Sequence, residues 1–184
     1  FFTPAGRGSF EIAMLSAGGV LEALESILAG HLDNAYALVR PPGHHAIAGE
    51  GMGFCIFANA ALAGLKALDE KGLKRVAFVD WDVHHCNGTQ EIFYNDKDTF
   101  CGSIHEFPLF PGTGEEKEKG IGNIFNAPIR SKTESKFFID TFRNKILSEL
   151  DKFKPEIILI SAGFDAHKND NISSIKLESK DYYT

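Results

Sequence analysis

The sequence predicts an α/β layered fold with a mostly parallel sheet covered on both faces, and three observations predict it. Apolar residues recur at helical spacing in three long stretches. Between them lie short apolar runs without polar alternation, the pattern of strands buried on both sides. The two kinds of segment alternate along the chain, as they do when helices cross over between parallel strands.

The elements follow in order. From Ser9 to Leu28, the residues Phe10, Ala13, Met14, Ala17, Val20, Leu21, Leu24, Ile27 and Leu28 recur at steps of three and four, so one face of a helix is apolar. Ser9 can cap it and Gly30 can end it. Ala35–Val39 is a short apolar run halted by Pro41-Pro42 and reads as the first buried strand. Phe54–Leu68 is rich in Ala and Leu and reads as a second helix, broken at Gly72; Val76-Ala77-Phe78-Val79 is the second strand, ending at Asp80. A short helix is expected over Thr89–Tyr94, a third strand over Thr99–Ile104, a loop punctuated by Gly and Pro from Phe107 to Gly122, and a fourth strand over Asn123–Ala127. Glu134–Phe153 returns to helical spacing, and Pro155 precedes the most apolar strand, Ile157-Ile158-Leu159-Ile160.

Composition narrows the function classes. At 184 residues and 43% hydrophobic, the chain suits one domain with its own core. Nineteen Lys and Arg against 25 Asp and Glu give a formal charge of −6, and no basic cluster sits on a recognisable motif, which argues against direct nucleic-acid binding. No run approaches the roughly 18 apolar residues of a membrane helix, and FFTPAGRGSF lacks the charged and apolar regions of a signal peptide, so no membrane partner is expected. Cys55, Cys86 and Cys101 are odd in number and form no CxxC, which speaks against a disulfide scaffold or zinc finger and fits a reducing, cytoplasmic setting.

In a parallel α/β sheet, ligands bind beyond the carboxyl ends of the strands. Those positions hold Pro41-Pro42-Gly43-His44-His45, Asp80-Trp81-Asp82-Val83-His84-His85, His105 and Asp165. A single His or Asp there is ordinarily a cap or a solvated loop residue, but four strand ends converge on metal-type ligands. Asp82 and His84 are spaced by two, so in an extended segment both side chains point one way and Val83 the other. With Asp165 they make two carboxylates and one imidazole, with room for water and substrate as in hydrolytic zinc sites, although Fe²⁺, Mn²⁺ or Co²⁺ also suits such ligands. His44 and His45 are proton carriers at neutral pH, and Asp80 and Asn87 are available to orient them.

The segments RPPGHHA (40–46), GFC (53–55), VDWDVHHCNGTQ (79–90), SIHEFPLFPGTG (103–114) and SAGFDAH (161–167) resemble the histone deacetylase superfamily, in the family's order. The Pro-Pro before Gly-His-His and Asn at position 87 are similar to the class II branch and its acetylpolyamine amidohydrolase relatives. The resemblance implies a three-layer α/β/α fold of the arginase and deacetylase type. It implies zinc, with Fe²⁺ as the alternative, held by Asp82, His84 and Asp165. His44 and His45 match the tandem catalytic histidines, with Asp80 as the partner of His44 and Asn87 as the partner of His45. Phe54 and Phe110 match the aromatics of the acyl-lysine tunnel, and Gly53 a backbone carbonyl facing the substrate. A structural potassium ion is implied at oxygens of Asp80, Asp82, His84, Ser103 and Ile104.

The expected reaction is hydrolysis of acetyl-lysine, acetylated polyamine or a similar small acetylated amine to acetate and free amine. Residues 1–184 then correspond to the central part of a single deacetylase-like domain, incomplete at both ends. The family's oxyanion tyrosine, which ends a glycine-rich loop, has no counterpart, because Tyr182 and Tyr183 follow Lys180-Asp181. Cys86 replaces the glycine most relatives carry; a Cβ there would strain a backbone of positive φ and shift Asn87 from His45, while the other readings are a small, soft side chain that simply fits and a redox-sensitive thiol. The competing reading is an inactive fragment or pseudoenzyme that binds metal or acyl-lysine without turnover. An arginase-type dimanganese hydrolase is hinted at by Asp165-Ala166-His167, but it needs more carboxylates beside Asp80 and Asp82. A nucleotide-binding domain lacks any glycine-rich phosphate motif.

Overall fold

The structure, a computed structural model, describes residues 3–183. The chain forms two compact units, Phe1–Lys74 with Asn87–Ile92, and Arg75–Cys86 with Phe93–Thr184. No helix of the described residues is long and apolar enough to cross a membrane.

In the first unit, helix α1 (Ser9–Leu28) packs on helix α2 (Asn59–Asp69). The residues buried on the two helices are mostly small: Ala13 and Ala17 with Leu24 on α1, and Ala61, Ala63 and Ala67 on α2. The α1 limits agree with the periodicity, but its cap does not. Gly8, in the left-handed region at φ 86°, is the N-cap, and the Ser9 hydroxyl instead accepts from the Gly6 amide at 2.8 Å. Gly30 ends the helix as expected, at φ 74°, its amide donating to the Ile27 carbonyl. Helix α2 begins five residues later than the composition suggests. Gly53 and Phe54 both have positive φ, which no helix accepts, and the Asn59 amide group is held by the Ser16 hydroxyl and the Pro41 carbonyl.

The segment Ala35–Val39 is not a strand. Tyr36 and Leu38 are 67% and 86% exposed, and the segment pairs with no strand among the described residues. An apolar run before Pro-Pro therefore misleads here, because burial by a neighbouring strand is what turns such a run into β structure.

The second unit contains the sheet. Strands β1 (Val76–Asp80), β2 (Thr99–Glu106), β3 (Ile124–Ile129) and β4 (Ile157–Ser161) are all parallel, in the order β3-β2-β1-β4. All residues of β1 and β2, the two central strands, are buried. Strand β2 runs two residues beyond its expected end because its polar tail is satisfied: the Glu106 amide donates to the Val83 carbonyl, and its carboxylate accepts from the Ser174 amide and hydroxyl. Pro128 lies in β3 at the edge of the sheet, where a missing N–H costs no ladder bond. Strand β4 is also an edge strand, so the most apolar run is half-exposed rather than buried, with Ile158 at 44% and Ile160 at 50%.

The expected single helix over Glu134–Phe153 is broken into α4 (Ser135–Thr141), a π-helical stretch (Phe142–Leu147) and α5 (Ser148–Phe153). Phe138, Ile146 and Leu150 from this segment complete the core with Ala77, Val79, Phe100, Ile104 and Ala127. Gly102 makes room for Ile146, since a Cβ there would lie 2.7 Å from its Cγ2. Helix α3 (Asn87–Phe93) follows β1 directly, two residues earlier than expected.

Candidate functional site

The end of β1 feeds directly into Asp82-Val83-His84. Val83 is fully buried in the core, and Asp82 and His84 project together on the other side, as the two-residue spacing requires. Asp165, four residues beyond β4, completes the set. The His84 Nδ1 lies 3.0 Å from Asp82 Oδ1 and 2.9 Å from Asp165 Oδ2, and donor atoms of all three residues fall within 4.8 Å of one another.

Backbone amides hold the carboxylates in place. Asp82 Oδ1 accepts from the His84 amide at 2.8 Å, Asp165 Oδ1 from the Val83 amide at 2.9 Å, and Asp80 Oδ1 from the Asp82 amide at 3.0 Å. Two carboxylates and one imidazole converging on a point suit a divalent ion of the Zn²⁺ or Fe²⁺ kind.

The electrostatics agree with that fit. Burial pushes the His84 pKa down, but hydrogen bonds to Asp165 and Asp82 outweigh it and raise it to about 9. Burial raises Asp165, the His84 hydrogen bond opposes this, and the Asp82 charge adds to the rise. The cluster thus favours a positive charge at its centre, which is what a proton or a divalent ion supplies. In protein stripped of metal by a chelator, the His84 ring is expected to titrate near pH 9 by NMR, and loading the ion at neutral pH to release its proton. The sign follows for stability. A raised histidine pKa contributes fully below the ordinary value of about 6.5, and the contribution is lost as pH rises through about 9.

Gly163 packs directly against a ligand. A Cβ there would lie 2.3 Å from Asp82 Oδ2 and 2.6 Å from its Cβ, so Gly163→Ala must move a ligand. We expect it to lower thermal stability by about 1–3 kcal/mol. Zn²⁺ affinity should fall at least about tenfold, as read by competition with a chromophoric chelator.

In the first unit, the His44 and His45 rings lie 3.9 Å apart, tilted by 42°. His45 Nδ1 is 2.7 Å from Asn87 Oδ1. The Asn87 amide nitrogen donates to the His45 carbonyl and to Met52 Sδ, which fixes the amide orientation. The amides of Gly88 and Thr89, at the start of α3, donate to the His44 carbonyl. Gly53 lies flat against His45, where a Cβ would come 2.2 Å from Cδ2. Phe54 sits at φ 66° with its side chain 56% exposed, a conformation a bulky residue keeps only when its surroundings impose it.

The other expected residues belong to the second unit. Asp80 is buried at the end of β1. The ring of Phe110 meets the His84 ring edge-on, with centroids 6.2 Å apart. Ser103 and Ile104 are buried in β2. Cys86 fits without the strain that a positive φ would bring: its φ is not positive, and the His45–Asn87 bond forms, as expected of a small side chain that fits. Burial, with the nearby Asp80 charge, pushes its thiol well above the usual range. The Tyr182 ring packs tilted against Phe164 with centroids 5.1 Å apart, and its buried hydroxyl has no hydrogen-bond partner, a structural placement.

Gly88, Gly114 and Gly163 lie within the matching segments, but the sequence gives them no role. Their signal is close approach, which pattern does not carry: Gly88 Cβ would lie 2.2 Å from the Ala46 carbonyl oxygen.

Comparison with known proteins shows the family to which these segments belong. The histone deacetylase domain matches residues 2–184. The histone deacetylase-like amidohydrolase of Pseudomonas aeruginosa is 41% identical over 184 residues, covering 97% of this chain and 48% of that protein. A probable deacetylase of Archaeoglobus fulgidus is 42% identical over 179 residues, covering 95% of this chain and 50% of that one. The crystal structure of an acetylpolyamine aminohydrolase from Burkholderia pseudomallei superposes with a TM-score of 0.92 at 35% identity, over 97% of this chain and 53% of that one. The chain therefore spans about half the length of the relatives it matches, and within that span it belongs to the histone deacetylase domain family.

Proposed function

We propose that the chain acts as a metal-dependent amidohydrolase that removes acetyl groups from acetyl-lysine side chains, acetylated polyamines or similar small acetylated amines. The observation that carries this reading is the convergence of the Asp82, His84 and Asp165 donor atoms. When bound, a divalent ion, Zn²⁺ or Fe²⁺, supplies Lewis-acid polarisation of the amide carbonyl and lowers the pKa of water. In this reading Asp82, His84 and Asp165 hold the ion. His45 Nε2, with His44 beside it, takes a proton from water as the oxygen adds to the carbonyl carbon. The same proton then goes to the leaving nitrogen as the C–N bond breaks, giving acetate and the free amine. Phe54 and Phe110 grip the methylenes of the amine chain, and the Gly53 carbonyl accepts from the substrate amide.

The same reading assigns potassium to oxygens of Asp80, Asp82, His84, Ser103 and Ile104. Buried Ser103 suits this role, because it lies level with buried Asp80 across the pairing of β1 and β2.

The deciding experiment measures acetate released from an acetyl-lysine peptide and from an acetylated polyamine by the chain loaded with Zn²⁺ or Fe²⁺. Release that a chelator stops and added metal restores is the expected result. One bound ion per chain with no acetate from either substrate would overturn the hydrolase reading in favour of a binding domain.

A further inference from the structure

His85 and His105 are buried histidines outside the ligand set, at 1% and 0% exposure, with ring centroids 4.8 Å apart. Burial and the neighbouring His85 push the His105 pKa down to about 3, so its ring is neutral. Its Nε2 lies 2.9 Å from the Gly114 carbonyl oxygen, an acceptor only, so Nε2 carries the proton and Nδ1 accepts from the Ser103 hydroxyl. His85 Nδ1 lies 2.8 Å from Thr113 Oγ1. Gly114, at φ 92°, presses its backbone onto both rings: a Cβ there would lie 2.4 Å from His105 Nε2 and 2.6 Å from His85 Cγ. On the far side of the turn, the Glu118 carboxylate accepts from the Gly114 amide at 3.0 Å and the Glu115 amide at 2.9 Å.

These bonds join two pieces of chain that carry chemistry. His85 directly follows the ligand His84, and Thr113 lies three residues beyond Phe110, whose ring meets His84 edge-on. Two adjacent residues of the loop are therefore fixed, Thr113 to the residue beside a metal ligand and Gly114 to the central strand.

We propose that His85 and His105 are positioning residues that tether the Phe110 loop to the metal-ligand segment through Thr113 and Gly114, and so set the register between substrate chain and metal. The inference rests on the deacetylase reading for its substrate and goes beyond it by assigning these two histidines. Neither histidine touches substrate; both act through Phe110. A loosened Phe110 loop weakens binding of the substrate chain in ground state and transition state alike, so the tether is read in KM more than in kcat.

Thr113 is exposed, so Thr113→Val removes the hydroxyl without disturbing the core. Thr113→Ser keeps it, and His105→Phe keeps the ring while losing both of its bonds. In Thr113→Val and His105→Phe, amide hydrogen exchange over residues 107–118 should quicken by about tenfold or more, with β1 unchanged and Thr113→Ser like the wild type. On the metal-loaded chain, KM for the acetyl-lysine peptide should rise about tenfold in Thr113→Val, with kcat within about twofold and metal content unchanged. Unchanged exchange in both variants would overturn the tether whatever the activity. Faster exchange with unchanged KM in an active enzyme would overturn its role in substrate register. If the wild type turns over neither substrate, the deacetylase reading fails on that assay alone, and the exchange data still decide the tether.

Discussion

Asp165→Asn is expected to leave the chain folded and deprive it of its divalent ion. The change keeps the size of the side chain and an oxygen that can still accept from the Val83 amide, now at 2.9 Å, so the link between the segments after β4 and β1 survives. What disappears is one of the two negative charges that His84 bridges. In a mostly buried cluster that loss weighs heavily, because little solvent screens what remains. Metal analysis after dialysis should fall from about one ion per chain to below about a tenth, and acetate release by about 10³-fold or more, since the Lewis-acid contribution is several kcal/mol. The His84 pKa should drop from about 9 toward its ordinary range in the same variant, which ties the two measurements to one cause. Full metal retention would place the ion on other ligands.

That cluster was legible in the sequence because it obeys local rules. Asp82 and His84 share a face through strand periodicity, and Asp165 follows a strand that pairs in register with the one before Asp82. Four of the expected strands and the first helix fall close to where periodicity puts them. The misreadings share a physical origin. Ala35–Val39 and Ile157–Ile160 look alike as apolar runs, yet only the second has a neighbour to pair with, and even it lies at an edge; hydrophobicity records a tendency to be covered, not what covers it. The π-helical stretch at Phe142–Leu147 preserves enough apolar spacing to look like continuous α-helix. The supporting residues were invisible for another reason. Gly88, Gly114 and Gly163 matter through what a Cβ would strike, and that depends on segments far away in sequence. Cys86 shows the converse: a substitution that looks disruptive beside a motif is harmless once its φ is known not to be positive.

His45→Ala separates proton transfer from metal binding and should have the second large effect. The Asn87 oxygen can only accept, so the 2.7 Å bond fixes the proton of the neutral ring on Nδ1 and makes Nε2 the basic nitrogen. Gly53 supports one face of the ring, and His44 packs beside it, so the base is fixed in tautomer and orientation before any substrate arrives. Removing it should lower kcat by about 10²–10⁴-fold while metal content stays at the wild-type level, the opposite split from Asp165→Asn. Asn87→Asp tests the same bond from the other side. A carboxylate in place of the amide favours the charged imidazolium, so the acidic limb of kcat/KM against pH moves to higher pH. A pH profile unmoved in Asn87→Asp, with kcat barely lowered in His45→Ala, would assign proton transfer to another group.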